Sequence, residues 1–285
     1  MIIANIFAVF LAVPAEATQG QAKPNVCKSE ITRSSTVMRI SGPSSLLLDD
    51  GSEVVLAGIV MPTVLDIPAQ TTTWQPARTS ARALAQLVTG QSLQFSVVDK
   101  WRDRYGRQRV YAFLNQAGNR IWIQSHLLAQ GLARAAVERI SQQCAERLLK
   151  VEGHAHHQRL GLWRHAAYAF RQADKPWRLI RYRGSYQIVE GTVTAVSQLR
   201  SKTFINFGQN RRKDFTAGLF GRISQSARMN GKPLASLKGK RVRIRGWISW
   251  RGGPFIQIYN SAQIALSQTQ PITAPPVPRK GKTDR

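Results

Sequence analysis

Between Lys240 and Gly252 the chain alternates with a period of two. Val242, Ile244, Ile248 and Trp250 fall on one side, and Arg241, Arg243, Arg245, Trp247 and Arg251 on the other. Successive side chains of a strand point to opposite faces. The stretch therefore reads as a half-buried strand, with one face in a core and the other a basic row holding an aromatic. Shorter β-like runs recur along the chain. They include Val37 to Ile40, Ser45 to Leu48, Ser52 to Val60, Ser92 to Val98 and Val110 to Leu114, with Asp49-Asp50-Gly51 as a hairpin signal. Three helices interrupt them: Pro76 to Thr89, Ile121 to Leu132 and Ile140 to Leu160, the last two stopped by Gly131 and Gly161. The first half thus reads β-β-β-α-β-β-α-α, a small barrel with helices packed on it. From Tyr186 strands return without clear helices, as Gln187 to Leu199, Thr203 to Gly208, Phe215 to Phe220 and Pro254 to Asn260, with Pro233 to Gly239 as a short helix or turn.

Charge and export narrow the function classes. Lys and Arg number 41 against 15 Asp and Glu, a net charge of +26, in a chain that is 43% hydrophobic. A wholly disordered or collagen-like chain is excluded. Such a surface attracts nucleic acid, anionic lipid, lipopolysaccharide or acidic polysaccharide, and composition does not separate these. Ile2 to Val13 is uncharged and precedes Ala15-Glu16-Ala17, the small-x-small pattern read by a signal peptidase. The expectation is an exported chain, periplasmic or secreted after cleavage near Ala17, with no integral membrane anchor left after processing. Cys27 and Cys144 then pair as a disulfide in an oxidising compartment. The expected divisions are a signal peptide (1–17), a polar segment (18–36), the first domain (37–165), a basic-aromatic connector (166–185), a second β domain (186–267) and a disordered Pro-rich tail (268–285).

Several strings in order carry a family likeness: Asp50-Gly51, then Leu56-Ala57-Gly58-Ile59 with Pro62, and Asp103-Arg104-Tyr105-Gly106-Arg107 before a strand. Leu127-Leu128-Ala129-Gln130-Gly131-Leu132-Ala133 and Arg159-Leu160-Gly161-Leu162-Trp163 complete it. From Val37 to Trp163 the chain resembles the staphylococcal-nuclease-like (thermonuclease) family. The resemblance implies a mainly β fold, an OB barrel with three helices. The second domain is similar to an OB-like barrel that follows such domains in some exported bacterial proteins. Active members read Arg-Leu-x-Gly-Ile-Asp-x-Pro-Glu after the hairpin. The Arg stabilises the pentavalent phosphate, the Asp holds calcium and the Glu positions the attacking water. A further calcium Asp follows Asp-Gly in the turn, and a second Arg follows Tyr-Gly.

In this chain the Arg position is Val55, the calcium Asp Val60, the Glu Thr63 and the turn Asp Ser52; Arg107 alone is retained. Removing one such electrostatic contact typically costs about 10²–10³ in rate. The resemblance therefore implies a degenerate site, with no cofactor and calcium expected only in an active enzyme. A rival reading is an active calcium-dependent phosphodiesterase with rearranged ligands, Asp50, Glu53 or Asp66 working with Arg107. A third is a cell-envelope scaffold for a protein or a glycan. His154, His156 and His157 with Glu152 form a conceivable metal clip but read as solvated helix residues. No metal site is expected. The binding expectation is nucleic acid or another polyanion, held by Arg104, Tyr105, Arg211, Arg212, Lys213, Arg241, Arg243, Arg245 and Trp247, in the way basic grooves with stacking aromatics hold single strands.

Overall fold

A computed structural model describes Cys27 and residues 30–67, 73–210, 212–229 and 231–267. The expected signal peptide, the expected tail and Arg211 lie outside the described residues. Strands β1 (Arg33–Gly42), β2 (Ser45–Leu48), β3 (Glu53–Leu56) and β4 (Ile59–Val60) precede helix α1 (Gln75–Val88). Then come β5 (Ser92–Arg102), β6 (Gln108–Gln116), β7 (Asn119–Trp122), α2 (Ile123–Ala129), β8 (Arg134–Ala135) and α3 (Gln142–His157). The sheet runs β3-β2-β1-β5-β6-β7, and a parallel β3–β6 pairing closes its first five strands into a barrel.

Local chemistry accounts for these elements. Gly51 takes the left-handed conformation (φ 76°) that the tight β2–β3 turn needs. In α1, Pro76 occupies the first turn and Pro76, Ser80, Leu84 and Val88, four residues apart, face the barrel. Ser141 caps α3 by accepting from the Cys144 amide at 3.3 Å. The disulfide Cys27–Cys144 ties the segment before β1 to the start of this helix. Leu46, Val54, Phe95, Phe113, Ile123 and Leu148 are almost fully buried in the barrel core. Each such side chain contributes about 1.5–3 kcal/mol.

Three expected boundaries move. The strand expected to open at Val37 begins at Arg33, because Arg33 to Thr36 pair with Phe95 to Ser92. That takes the end of the polar segment into the barrel. Ile121 and Trp122 belong to a β6–β7 hairpin, with Trp122 opposite Phe113, so the helix expected from Ile121 starts at Ile123. The third helix stops at His157, where the chain turns to bring Gly161 against Gly131. A Cβ on either glycine would lie 2.3 Å from a backbone oxygen of the other strand of chain.

The second half holds β9 (Arg171–Gln172), α4 (Pro176–Leu179), β10 (Tyr186–Thr192), β11 (Ala195–Gln198), β12 (Lys202–Asn206) and β13 (Thr216–Phe220). It continues with α5 (Arg222–Ser226), β14 (Arg228–Met229), β15 (Lys232–Pro233), β16 (Arg241–Arg251), β17 (Gly253–Ile258) and β18 (Ile264–Leu266). Its sheet runs β11-β12-β13-β17-β16-β10-β9, with β18 added to β16. Val189, Ile205, Phe215, Val242, Ile244 and Ile258 form its own core. The stretch expected as a connector is built into the fold: β9 pairs in parallel with β10, and Tyr168 is buried.

A polar seam joins the two halves. Buried Arg134 pairs with Asp66 at 2.9 Å and donates to the Tyr186 carbonyl. Tyr168 donates to Asp66 at 3.0 Å and accepts from the Trp74 indole at 2.9 Å. Glu152 accepts from the Ala135 amide and from Arg245, both at 2.7 Å, while Tyr186 donates to the Ala135 carbonyl at 2.8 Å. Burial alone would disfavour the Arg245 charge, but Glu152, with Tyr186 and Glu138, outweighs it and holds the guanidinium above its ordinary range.

Candidate nucleic-acid interface

The barrel and the second sheet meet over a cleft of about 500 Å³. Val55, Val60, Thr63 and Arg107 line its barrel side, Glu138 and Arg139 come from the loop after β8, and Trp247 and Tyr259 reach in from the second sheet. An adjoining hollow of about 270 Å³ shares Glu138, Trp247 and Tyr259 and adds Trp250 and Arg251. Trp247 is 53% exposed and Tyr259 42%. The strand geometry explains the first set: β3 and β6 run side by side, so residues at the end of β3 and the start of β6 share one end of the barrel.

Arg107 pairs with Asp103 at 2.7 Å and donates to the Ser45 hydroxyl at 2.7 Å. Burial opposes the Asp103 charge, yet the Arg107 side chain and the Arg107 and Tyr105 amides more than offset it and hold this carboxyl below the usual range. On the same turn Tyr105 is 64% exposed, and the Arg104 and Arg107 guanidinium groups each lie 4.8 Å from its ring centre. Arg109 pairs with Asp99 at 2.7 Å and donates to the Arg139 carbonyl, and Arg139 lies 5.0 Å from the ring centre of Tyr259.

The structure brings four of the five family positions together and sets the fifth apart. Ser52 lies on the β2–β3 turn, where it accepts from Arg33; the turn lining the cleft is Pro43-Ser44-Ser45, at the opposite end of β2. The carboxylates of the rival reading are held elsewhere. Asp50 pairs with Arg33 at 2.9 Å, Asp66 is buried on Arg134, and neither these nor Glu53 lines the cleft. Glu138 is the acidic residue among those lining it. A calcium ion takes about six to eight oxygen ligands. One carboxylate among the guanidinium groups of Arg107, Arg109 and Arg139 is a donor set that does not fit the ion.

The basic row expected on one face of β16 is ion-paired: Arg241 stays exposed, Arg243 is half-buried and Arg245 is nearly enclosed. Arg241 and Arg243 each pair with Glu190 at 2.8 Å, and Arg245 is buried on Glu152. Only Trp247, one step further along, projects into the cleft. Trp250, expected in the core, is 39% exposed because the apolar face runs out where β16 passes the end of the second core. Arg212 and Lys213 sit on the Asn210–Asp214 turn, against Gly253 rather than in the cleft. Sequence patterning gave no sign of Glu138, Arg139 or Tyr259, which lie in loops or at strand ends.

Of the three clustered histidines, His156 serves packing. Glu152 is taken by Arg245, His154 and His157 are exposed, and His156 stacks on Phe170 with ring centres 4.7 Å apart. Burial, and then the Arg243 charge, hold His156 below the ordinary imidazole value. A depressed pKa means that the native state binds fewer protons, so this contribution to stability is present above the unfolded value of about 6.5 and fades as pH falls through the folded one. His156→Phe, which keeps the stack, is therefore expected to lose less stability than wild type between about pH 7 and pH 5. Urea midpoints at the two pH values check this; equal losses would show that His156 is uncoupled from folding.

Among the described residues no helix is long and apolar enough to cross a membrane. Residues 53–165 match the model of the staphylococcal nuclease homologue family, from β3 to just past the Gly131–Gly161 contact. A search of curated proteins finds no match.

Proposed function

Because residues 53–165 match the model of the staphylococcal nuclease homologue family, we propose that this chain binds single-stranded nucleic acid without that family's calcium-dependent cleavage. One observation carries the reading: the cleft is lined by Arg139, and by Arg107 and Arg109 which also pair with Asp103 and Asp99, with two exposed aromatics, while Val55, Val60 and Thr63 bring no charge. Guanidinium groups neutralise phosphates, and aromatic faces accept unpaired bases, which is how such grooves hold single strands. Export to an oxidising compartment belongs to the same reading, and the Cys27–Cys144 disulfide supports it. The second sheet acts as an OB-like unit that supplies Trp247 and Tyr259 to the shared cleft.

The purified chain is expected to bind labelled single-stranded DNA, with affinity falling by about 0.7 log units per log unit of salt for each phosphate neutralised. It is expected to release no fragments from DNA or RNA, with or without calcium, beyond a buffer blank. Calcium-dependent cleavage abolished by Arg107→Ala would overturn the reading in favour of an active phosphodiesterase. Binding of an acidic glycan but of no nucleic acid would favour an envelope scaffold.

A further inference from the structure

Glu138 is the unexplained group of the cleft. It lines both hollows, and its Oε1 is buried with no well-formed hydrogen bond among the described residues, the Tyr186 hydroxyl being its neighbouring donor. The nearby Tyr186 hydroxyl already donates to the Ala135 carbonyl. A buried acceptor short of a donor is unfavourable, so an occupant that supplies N–H groups would satisfy it. Burial pushes the Glu138 carboxyl up, against the opposing pull of its own backbone amide, the Arg245 charge, the Tyr186 hydroxyl and the Arg109 charge, and further donors bound to the carboxylate would reverse that rise.

The walls specify the rest of the occupant. Trp247 and Tyr259 present exposed ring surface beside Glu138, which suits a flat ring system. Arg109 and Arg139 line the same cleft and donate only. The ligand edge therefore needs paired donors for a carboxylate and acceptors for a guanidinium. Among the nucleobases, guanine places two N–H donors side by side, N1–H and the exocyclic amine, next to the acceptors O6 and N7. We infer that the cleft takes one guanine base of a single-stranded nucleic acid, with Glu138 accepting from N1–H and the exocyclic amine and the ring lying against Trp247. This rests on the nucleic-acid reading above and makes Glu138 its specificity-determining residue.

The test uses the full chain and two labelled strands of thymidine, one with a single central guanine and the other with hypoxanthine there, which lacks only the exocyclic amine. Fluorescence anisotropy is expected to give about tenfold tighter binding of the guanine strand, the scale of one good base-reading contact. Glu138→Gln turns an N–H₂ towards the base donors and should collapse the preference, whereas Trp247→Ala should weaken both strands. Circular dichroism shows whether either variant has lost its fold. Equal wild-type binding of the two strands overturns the guanine assignment and leaves the nucleic-acid reading standing. If neither strand nor pure thymidine binds, the nucleic-acid reading fails and the assignment falls with it.

Discussion

Arg245→Met is expected to lower the unfolding free energy by about 3–5 kcal/mol, the usual result of removing one partner of a buried ion pair. The variant leaves Glu152 charged and enclosed, with the Ala135 amide as its remaining donor, and also strips a donor from the Ala135 carbonyl. Adding Glu152→Leu removes the stranded charge and is expected to restore a large part of the loss, because well-packed apolar pairs often replace buried ion pairs without penalty. Urea unfolding of wild type, single and double variants measures both steps. A loss under about 1 kcal/mol in the single variant would place Glu152 in contact with water.

Cys27→Ser combined with Cys144→Ser is expected to cost about 4–5 kcal/mol, the chain-entropy value for releasing a loop of this size. The bridge spans 117 residues and encloses the whole barrel. Cys144 is 1% exposed at the start of α3, so the serine hydroxyl also enters a buried setting. Equilibrium unfolding of the oxidised wild type against the double variant gives the difference. A change below about 1 kcal/mol would mean that the unfolded chain stays compact around this segment without the bridge.

The strands were legible because their periodicity is local. Val242, Ile244 and Ile248 sit on the core face that the alternation assigns them. What covers the opposite face is not local. A polar strand face reads the same whether water or a carboxylate lies over it, and the partners of Arg241, Arg243 and Arg245 lie 51, 53 and 93 residues away. The same limit hid the function of Asp66, which belongs to Arg134, 68 residues on. Ser52 was misplaced for a related reason. A short strand has a turn at each end, and counting from Asp-Gly selects one without showing which end meets Arg107. Helix limits slipped where Ile121 and Trp122 fit both periodicities, and the hairpin with β6 decided the matter. The glycine stops at Gly131 and Gly161 were legible, but their mutual contact was not.

The seam between the halves has a consequence for anyone wishing to dissect the chain. Its polar contacts cross the boundary at which the sequence invites a cut: Glu152 before it pairs with Arg245 after it, and Arg134, itself paired with Asp66, donates across it to the Tyr186 carbonyl. A fragment ending near Trp163 would keep Glu152 without its guanidinium, and one starting near Arg178 would carry Arg245 and Tyr186 with nothing to meet them. What looks in the sequence like two beads on a string is held by an ionic partition wall. Neither room can be let separately, because the wall belongs to both.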